Sequence, residues 1–151
     1  MRVHLATDHA GLEFKDALTQ HLTSKGYEVI DHGAYEYDAE DDYPAFCIAA
    51  AEAVAAEPGS LGVVFGGSGN GEQIAANKVE GIRAALVWNE STAKLAREHN
   101  NANVISLGQR LHDADFVKQL IDTFIATKFP GDERHVRRID KIRNYEVTGE
   151  S

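Results

Sequence analysis

Val63-Val64-Phe65-Gly66-Gly67-Ser68-Gly69-Asn70-Gly71-Glu72-Gln73-Ile74-Ala75-Ala76-Asn77-Lys78 is the stretch of sequence that decides the fold. The apolar, β-branched run at 63–65 reads as a strand. The glycines that follow read as a turn, and Glu72 onward reads as a helix. A strand that empties through a glycine-rich turn into a helix gathers unpaired backbone N–H groups and the positive end of a helix dipole around one small space, which suits an anion.

Working outward, the same strand-then-helix alternation fills the chain. Strands are expected near residues 3–6, 28–30, 62–65, 84–87 and 104–107, with helices near 12–25, 45–56, 71–79, 91–100 and 115–128. Repeated units of this length imply a five-stranded parallel sheet covered on both faces, an α/β three-layer Rossmann-like fold with ligands at the carboxyl ends of its strands. Pro130-Gly131 breaks the chain, and a basic C-terminal helix is expected over about 132–144, with 145–151 fraying. With 151 residues, 43% of them hydrophobic, the whole chain 1–151 reads as one domain.

Composition narrows the partners. The 24 acidic and 15 basic residues give a formal charge of −9, which argues against nucleic acid or an anionic membrane surface. No stretch reaches the apolar length of a membrane span, and Met1-Arg2-Val3-His4 opens a strand rather than a leader, so a cytoplasmic location is expected. The single cysteine, Cys47, sits in an alanine-rich helical stretch and reads as a small buried hydrophobe. Of the seven histidines, His4, His21, His32 and His112 show no metal-ligand spacing, and no metal is expected.

Two familiar anion loops fail here. A Walker A loop needs Lys and then Ser or Thr after its last glycine, whereas Glu72 and Gln73 follow Gly71. Gly67-Ser68-Gly69-Asn70-Gly71 is one residue short of a dinucleotide fingerprint and lies in the third strand-helix unit rather than the first. What remains is a carboxylate beside backbone donors, the pairing that removes a carbon-bound proton and stabilises the resulting oxyanion. A tight turn with Glu72 favouring a helix start is the plainer alternative.

Other residues have two readings each. Asp8 and His9 follow the first strand, where they could bind or protonate a sugar oxygen; Asp8 could equally cap the helix that starts near Leu12. Arg134 and Arg138, four apart, share a helix face and could converge on a phosphate or form a solvated basic face. The run His99-Asn100-Asn101-Ala102-Asn103 could be an ordinary helix end with an Asn cap. A ten-residue helix, however, carries His99 about 15 Å from its own start, to the amino-terminal edge of the sheet. Glu72 sits at the carboxyl edge, so a single site containing both needs two chains.

Taken together, the loop 66–71 with Glu72, the run Ile74-Ala75-Ala76-Asn77-Lys78, the turn Asp8-His9-Ala10-Gly11, His99-Asn100 and the Arg134/Arg138 pair resemble the type B ribose-5-phosphate isomerases. The wider family includes the lactose-pathway galactose-6-phosphate isomerases, and the resemblance runs from Met1 to about Arg143. It implies that Glu72 shuttles a proton between C1 and C2 of D-ribose 5-phosphate and D-ribulose 5-phosphate, in the pentose phosphate pathway of carbohydrate metabolism. The amides of Gly67, Ser68, Gly69, Asn70 and Gly71 would hold the enediolate. In another branch the base is a cysteine at the position of Gly66, so this chain is similar to the glutamate branch. His99 would open the furanose ring with help from Asp8; His9, Arg110, Arg134 and Arg138 would bind phosphate; Tyr43 and Asn100 would line the sugar. The resemblance further implies a homodimer with shared sites or a dimer of dimers, and no metal or organic cofactor. A six-carbon substrate, allose or galactose 6-phosphate, and a non-catalytic phosphosugar-binding module are the alternatives.

Overall fold

Along strand β3 (Leu61–Gly66) every residue is buried, and Val63 and Phe65 face one apolar layer while Val64 faces another. A strand alternates its side chains between faces, so burial on both sides requires helices on both sides. A computed structural model, covering residues 1–151, supplies them. Strands β1 (Arg2–Thr7), β2 (Glu28–Asp31), β3, β4 (Ala84–Leu86) and β5 (Val104–Gly108) form one parallel sheet in the order β2-β1-β3-β5-β4. The helices are α1 (Leu12–Ser24), α2 (Tyr43–Ala56), α3 (Asn70–Ala76), α4 (Glu90–Asn100), α5 (Ala114–Ala126) and α6 (Glu133–Thr148). The expected α/β three-layer architecture is therefore the one observed.

One face packs Val3, Leu5, Phe65, Ile105 and Leu107 of the sheet against α1, α4 and α5, with Leu22, Leu120, Ile121 and Phe124 fully enclosed. Truncating Phe124 to alanine there would cost about 3–5 kcal/mol, transfer and cavity terms together. The other face is built from small residues. Cys47, Ala50 and Ala51 of α2 and Ala75 and Ala76 of α3 let both helices lie close to Ala6, Val64 and Val104.

The element ends differ from expectation where side chains bind backbone. Helix α3 stops at Ala76 rather than 79, because the Asn77 amide donates to Ala84 O at 2.9 Å and accepts from Ala84 N at 2.8 Å, turning the chain into β4. Helix α2 starts at Tyr43, before the expected 45, with Pro44 in the first turn where no N–H is required. Helix α6 runs to Thr148 and ends on Gly149 in the left-handed conformation. Residues 145–148, within the segment expected to fray, are therefore helical.

Chain direction across the sheet reverses between β1 and β3, so the loops that leave these neighbours diverge and open a crevice at their carboxyl ends.

Candidate active site

Glu72 is the buried carboxylate of that crevice, with only 5% of its surface exposed. It sits in the first turn of α3, and its carboxylate folds back against the end of β3. A Cβ placed on Gly66 would lie 1.9 Å from Glu72 Oε1. The absence of a side chain at Gly66 is what makes room for the carboxylate. Gly69, with φ 84°, takes the left-handed turn into α3, and a Cβ there would come within 2.9 Å of the Leu107 carbonyl carbon. Ser106 donates to Gly69 O at 2.7 Å and pins the loop to β5.

Burial raises the Glu72 pKa above the ordinary carboxylate range; its own backbone N–H opposes this and the Asp8 carboxylate adds to it. The amides of Gly67, Ser68, Gly69 and Gly71 donate to no protein acceptor, while Asn70 N donates to Ser68 Oγ at 3.3 Å. Tyr43 lies over the loop, its Oη 2.3 Å from where a Cβ on Gly71 would stand. Burial pushes the Cys47 thiol up, leaving it no thiolate with which to act as a base.

Asp8 and His9 face the same crevice from the end of β1. Asp8 caps a single 3₁₀ turn, His9–Gly11, accepting from Ala10 N at 3.0 Å, so the cap precedes Leu12. Arg110 completes the rim: Gln109 N and Arg110 N donate to Gly66 O and Gly67 O at 2.8 and 3.2 Å, and the Arg110 guanidinium packs beside Gly67. His9 hydrogen-bonds Asp41, which holds its pKa above the ordinary histidine value against the opposing effect of desolvation. Ligand atoms of Asp8, His9 and Asp41 all lie within 4.8 Å of one another, the one cluster with the atoms to hold a cation. A cation there would have to displace the His9 proton from Asp41.

One chain does not bring every expected residue together. His99 and Asn100 end α4 at the amino-terminal edge, both exposed, with Asn101 in the left-handed cap conformation. Arg83 donates to Asn100 O and Asn101 O at 2.9 and 2.8 Å and fixes this helix end. The His99 ring stacks on His135 of α6 at 4.3 Å. His135 is buried, and burial, with His99 and the nearby arginines adding to it, lowers its pKa. Arg134 and Arg138 are exposed on α6, which is tied near the start of β4 by Glu146 accepting from Gly81 N at 2.9 Å. This group gathers at the amino-terminal edge of the sheet, whereas the Glu72 carboxylate lies against the carboxyl end of β3.

Sequence reading missed Asp41 and His135. Asp41 lies 32 positions from His9 within a run of similar acidic residues, so no local spacing marks it. His135 follows Arg134 in a basic helical run, and no spacing marks it as the neighbour of His99.

A buried carboxylate beneath free amides at the switch point of a parallel sheet defines an α/β enzyme for moving a proton at carbon. Residues 3–142 match the family model described as Ribose/Galactose Isomerase, and the chain belongs to that family. It is 56% identical over 151 residues to ribose-5-phosphate isomerase B of Mycobacterium tuberculosis, covering 100% of this chain and 93% of the relative. Among solved structures, the Mycoplasma genitalium ribose-5-phosphate isomerase B with bound ribulose-5-phosphate superposes with a TM-score of 0.93 at 42% identity, covering 97% of each chain. The Clostridium thermocellum enzyme gives 0.92 at 40% identity, covering 99% of this chain and 100% of that one.

Proposed function

We propose that the chain is an aldose–ketose isomerase that interconverts D-ribose 5-phosphate and D-ribulose 5-phosphate by proton transfer through an enediolate. The observation that carries this reading is the buried Glu72 carboxylate, raised in pKa, beside unpaired loop amides. A carboxylate as basic as this one removes the C2 proton of the open-chain aldose more readily than a solvated one. As the C–H bond breaks, charge moves onto O1, and the amides of Gly67, Ser68, Gly69 and Gly71 stabilise it in place of water. The O2 hydroxyl proton passes to O1, and the protonated Glu72 then returns its proton to C1 while the C2–O2 bond becomes the carbonyl. Tyr43 and Asp8 orient the hydroxyls, and His9 and Arg110 hold the phosphate at the rim, so remote binding energy aligns C1 and C2.

The active unit in this reading is a homodimer with shared sites. His99 of the partner subunit protonates the furanose oxygen, Asn100 of the partner subunit contacts the sugar, and the partner's Arg134 and the partner's Arg138 close on the phosphate. Their exposure at the sheet edge opposite Glu72 supports this, as does the exposed apolar surface of Ile74, Trp88, Ile142 and Tyr145 around edge strand β4. No helix is long and apolar enough to cross a membrane. The reaction belongs to the pentose phosphate pathway, with the cytoplasm as its setting.

Running the reaction in deuterated water tests the chemistry. Ribose 5-phosphate recovered at partial conversion should carry deuterium at C2, and Glu72→Gln should abolish that incorporation. Turnover without any solvent label would point to direct hydride transfer and remove Glu72 from the role of base.

A further inference from the structure

His9 and Asp41 come from different segments, the turn after β1 and the loop that leads into α2, and meet in a way that fixes one ring. Asp41 Oδ1 accepts from His9 Nδ1 at 2.5 Å and from the His9 backbone N–H at 3.2 Å. Two donors from one residue on one oxygen set both the position and the rotation of the imidazole. The Tyr37 ring stands edge-on to the imidazole, with ring centroids 5.6 Å apart. The Asp41 side chain is only 10% exposed, and its Oδ2 is buried with no partner. A carboxylate so enclosed is costly unless its charge is matched, and the contact given to it is His9.

We propose that Asp41 is a positioning residue of the isomerase site: it keeps Nδ1 of His9 protonated and turned inward, so that Nε2–H of a charged imidazole faces the substrate phosphate. The inference rests on the reading of His9 as a phosphate ligand. His9 and Arg110 line one cavity of about 680 Å³ together with Gln109 and Tyr37. A bare aspartate beside that cavity would repel a phosphate dianion. Paired with His9 it leaves a neutral unit that still offers one charge-assisted donor outward. The charged and titratable groups facing His9 from the surrounding elements are Asp8, Asp38 and Asp41, with Glu13, Tyr37 and Arg110 around the cavity. The carboxylates favour the imidazolium, Asp41 most strongly.

Asp41→Asn tests this, because the asparagine oxygen still accepts from Nδ1–H and only the charge is lost. Near pH 6, where an ordinary histidine is largely protonated, KM for ribose 5-phosphate should stay within about twofold of wild type. At about pH 7.5 it should be about tenfold higher, the size of one lost charge-assisted bond, with kcat changed less than about threefold. The inhibition constant of inorganic phosphate should move in parallel. The His9 ring titration followed by NMR should have a midpoint above the ordinary value of about 6.5 in wild type and a lower one in Asp41→Asn. A wild-type midpoint at or below the ordinary value overturns the proposal without recourse to any variant. So does an Asp41→Asn KM ratio that is the same at both pH values while His9→Asn weakens phosphate binding. If His9→Asn itself leaves KM and phosphate inhibition unchanged, it is the placement of phosphate at His9 that fails.

Discussion

Mixing two inactive variants gives the sharpest test of the two-chain site. Glu72→Gln removes the proposed base at the carboxyl edge, and His99→Asn removes the proposed ring-opening acid at the end of α4, on the amino-terminal edge. Each pure dimer should fall to about 1% of wild type or less, since loss of a positioned acid or base typically costs about 10² to 10⁴ in rate. In the proposed two-fold dimer each site would take Glu72 from one chain and His99 from the other. A mixed dimer therefore has one site with both substitutions and one with neither. Random pairing makes about half the dimers mixed, each with one working site of two, so co-refolded material should recover about a quarter of wild-type turnover. The assay is initial-rate isomerisation, with native mass spectrometry to count mixed dimers. If mixed dimers are abundant and activity stays at the parental level, His99 either acts within its own chain or takes no part in the chemistry.

Three further outcomes follow from the geometry. Because burial raises the Glu72 pKa and the base must be ionised, the acid limb of kcat/KM should lie above the ordinary glutamate value of about 4.3. A group raised in the fold favours folding only while protonated and loses that contribution as pH rises through its folded pKa, so Glu72→Gln should raise Tm over wild type more at pH 7 than at pH 4; an equal change at both would contradict this. Arg138→Ala should raise KM for ribose 5-phosphate about tenfold while sparing unphosphorylated ribose, and equal losses for both would reduce the arginine to a solvated charge. His4 and His32, whose rings contact at 2.8 Å, both have lowered pKa values, chiefly from burial. Their folded forms resist protonation, so stability should fall as pH drops from about 6.5 through the lower folded values; His32→Gln should flatten that part of the Tm–pH curve, and an unchanged slope would place the effect elsewhere.

The fold was legible because each strand announces itself as an apolar run and each helix as a periodic one, and their alternation admits few topologies. Helix ends were less so: the stop at Ala76 depends on Asn77 reaching Ala84, and the run to Thr148 depends on nothing breaking the helix before Gly149. The loop and Glu72 could be read because strand, turn, base and helix are contiguous. Asp41 with His9 and His135 with His99 could not, since each pair is joined only by packing between distant segments.

The overlap between a Cβ on Gly66 and the Glu72 carboxylate also bears on descent within the family. The sequence resemblance implies another branch whose base is a cysteine at position 66. Its Cβ would fall 1.9 Å from where Glu72 Oε1 lies here, so the carboxylate could not keep its present place beside that cysteine. Gaining the cysteine first drives two side chains together, and losing the glutamate first leaves no base at all. A lineage crossing between branches thus meets a fitness valley whichever substitution comes first, unless both change together. The choice of base is then expected to behave as a frozen historical character that tracks ancestry more faithfully than substrate.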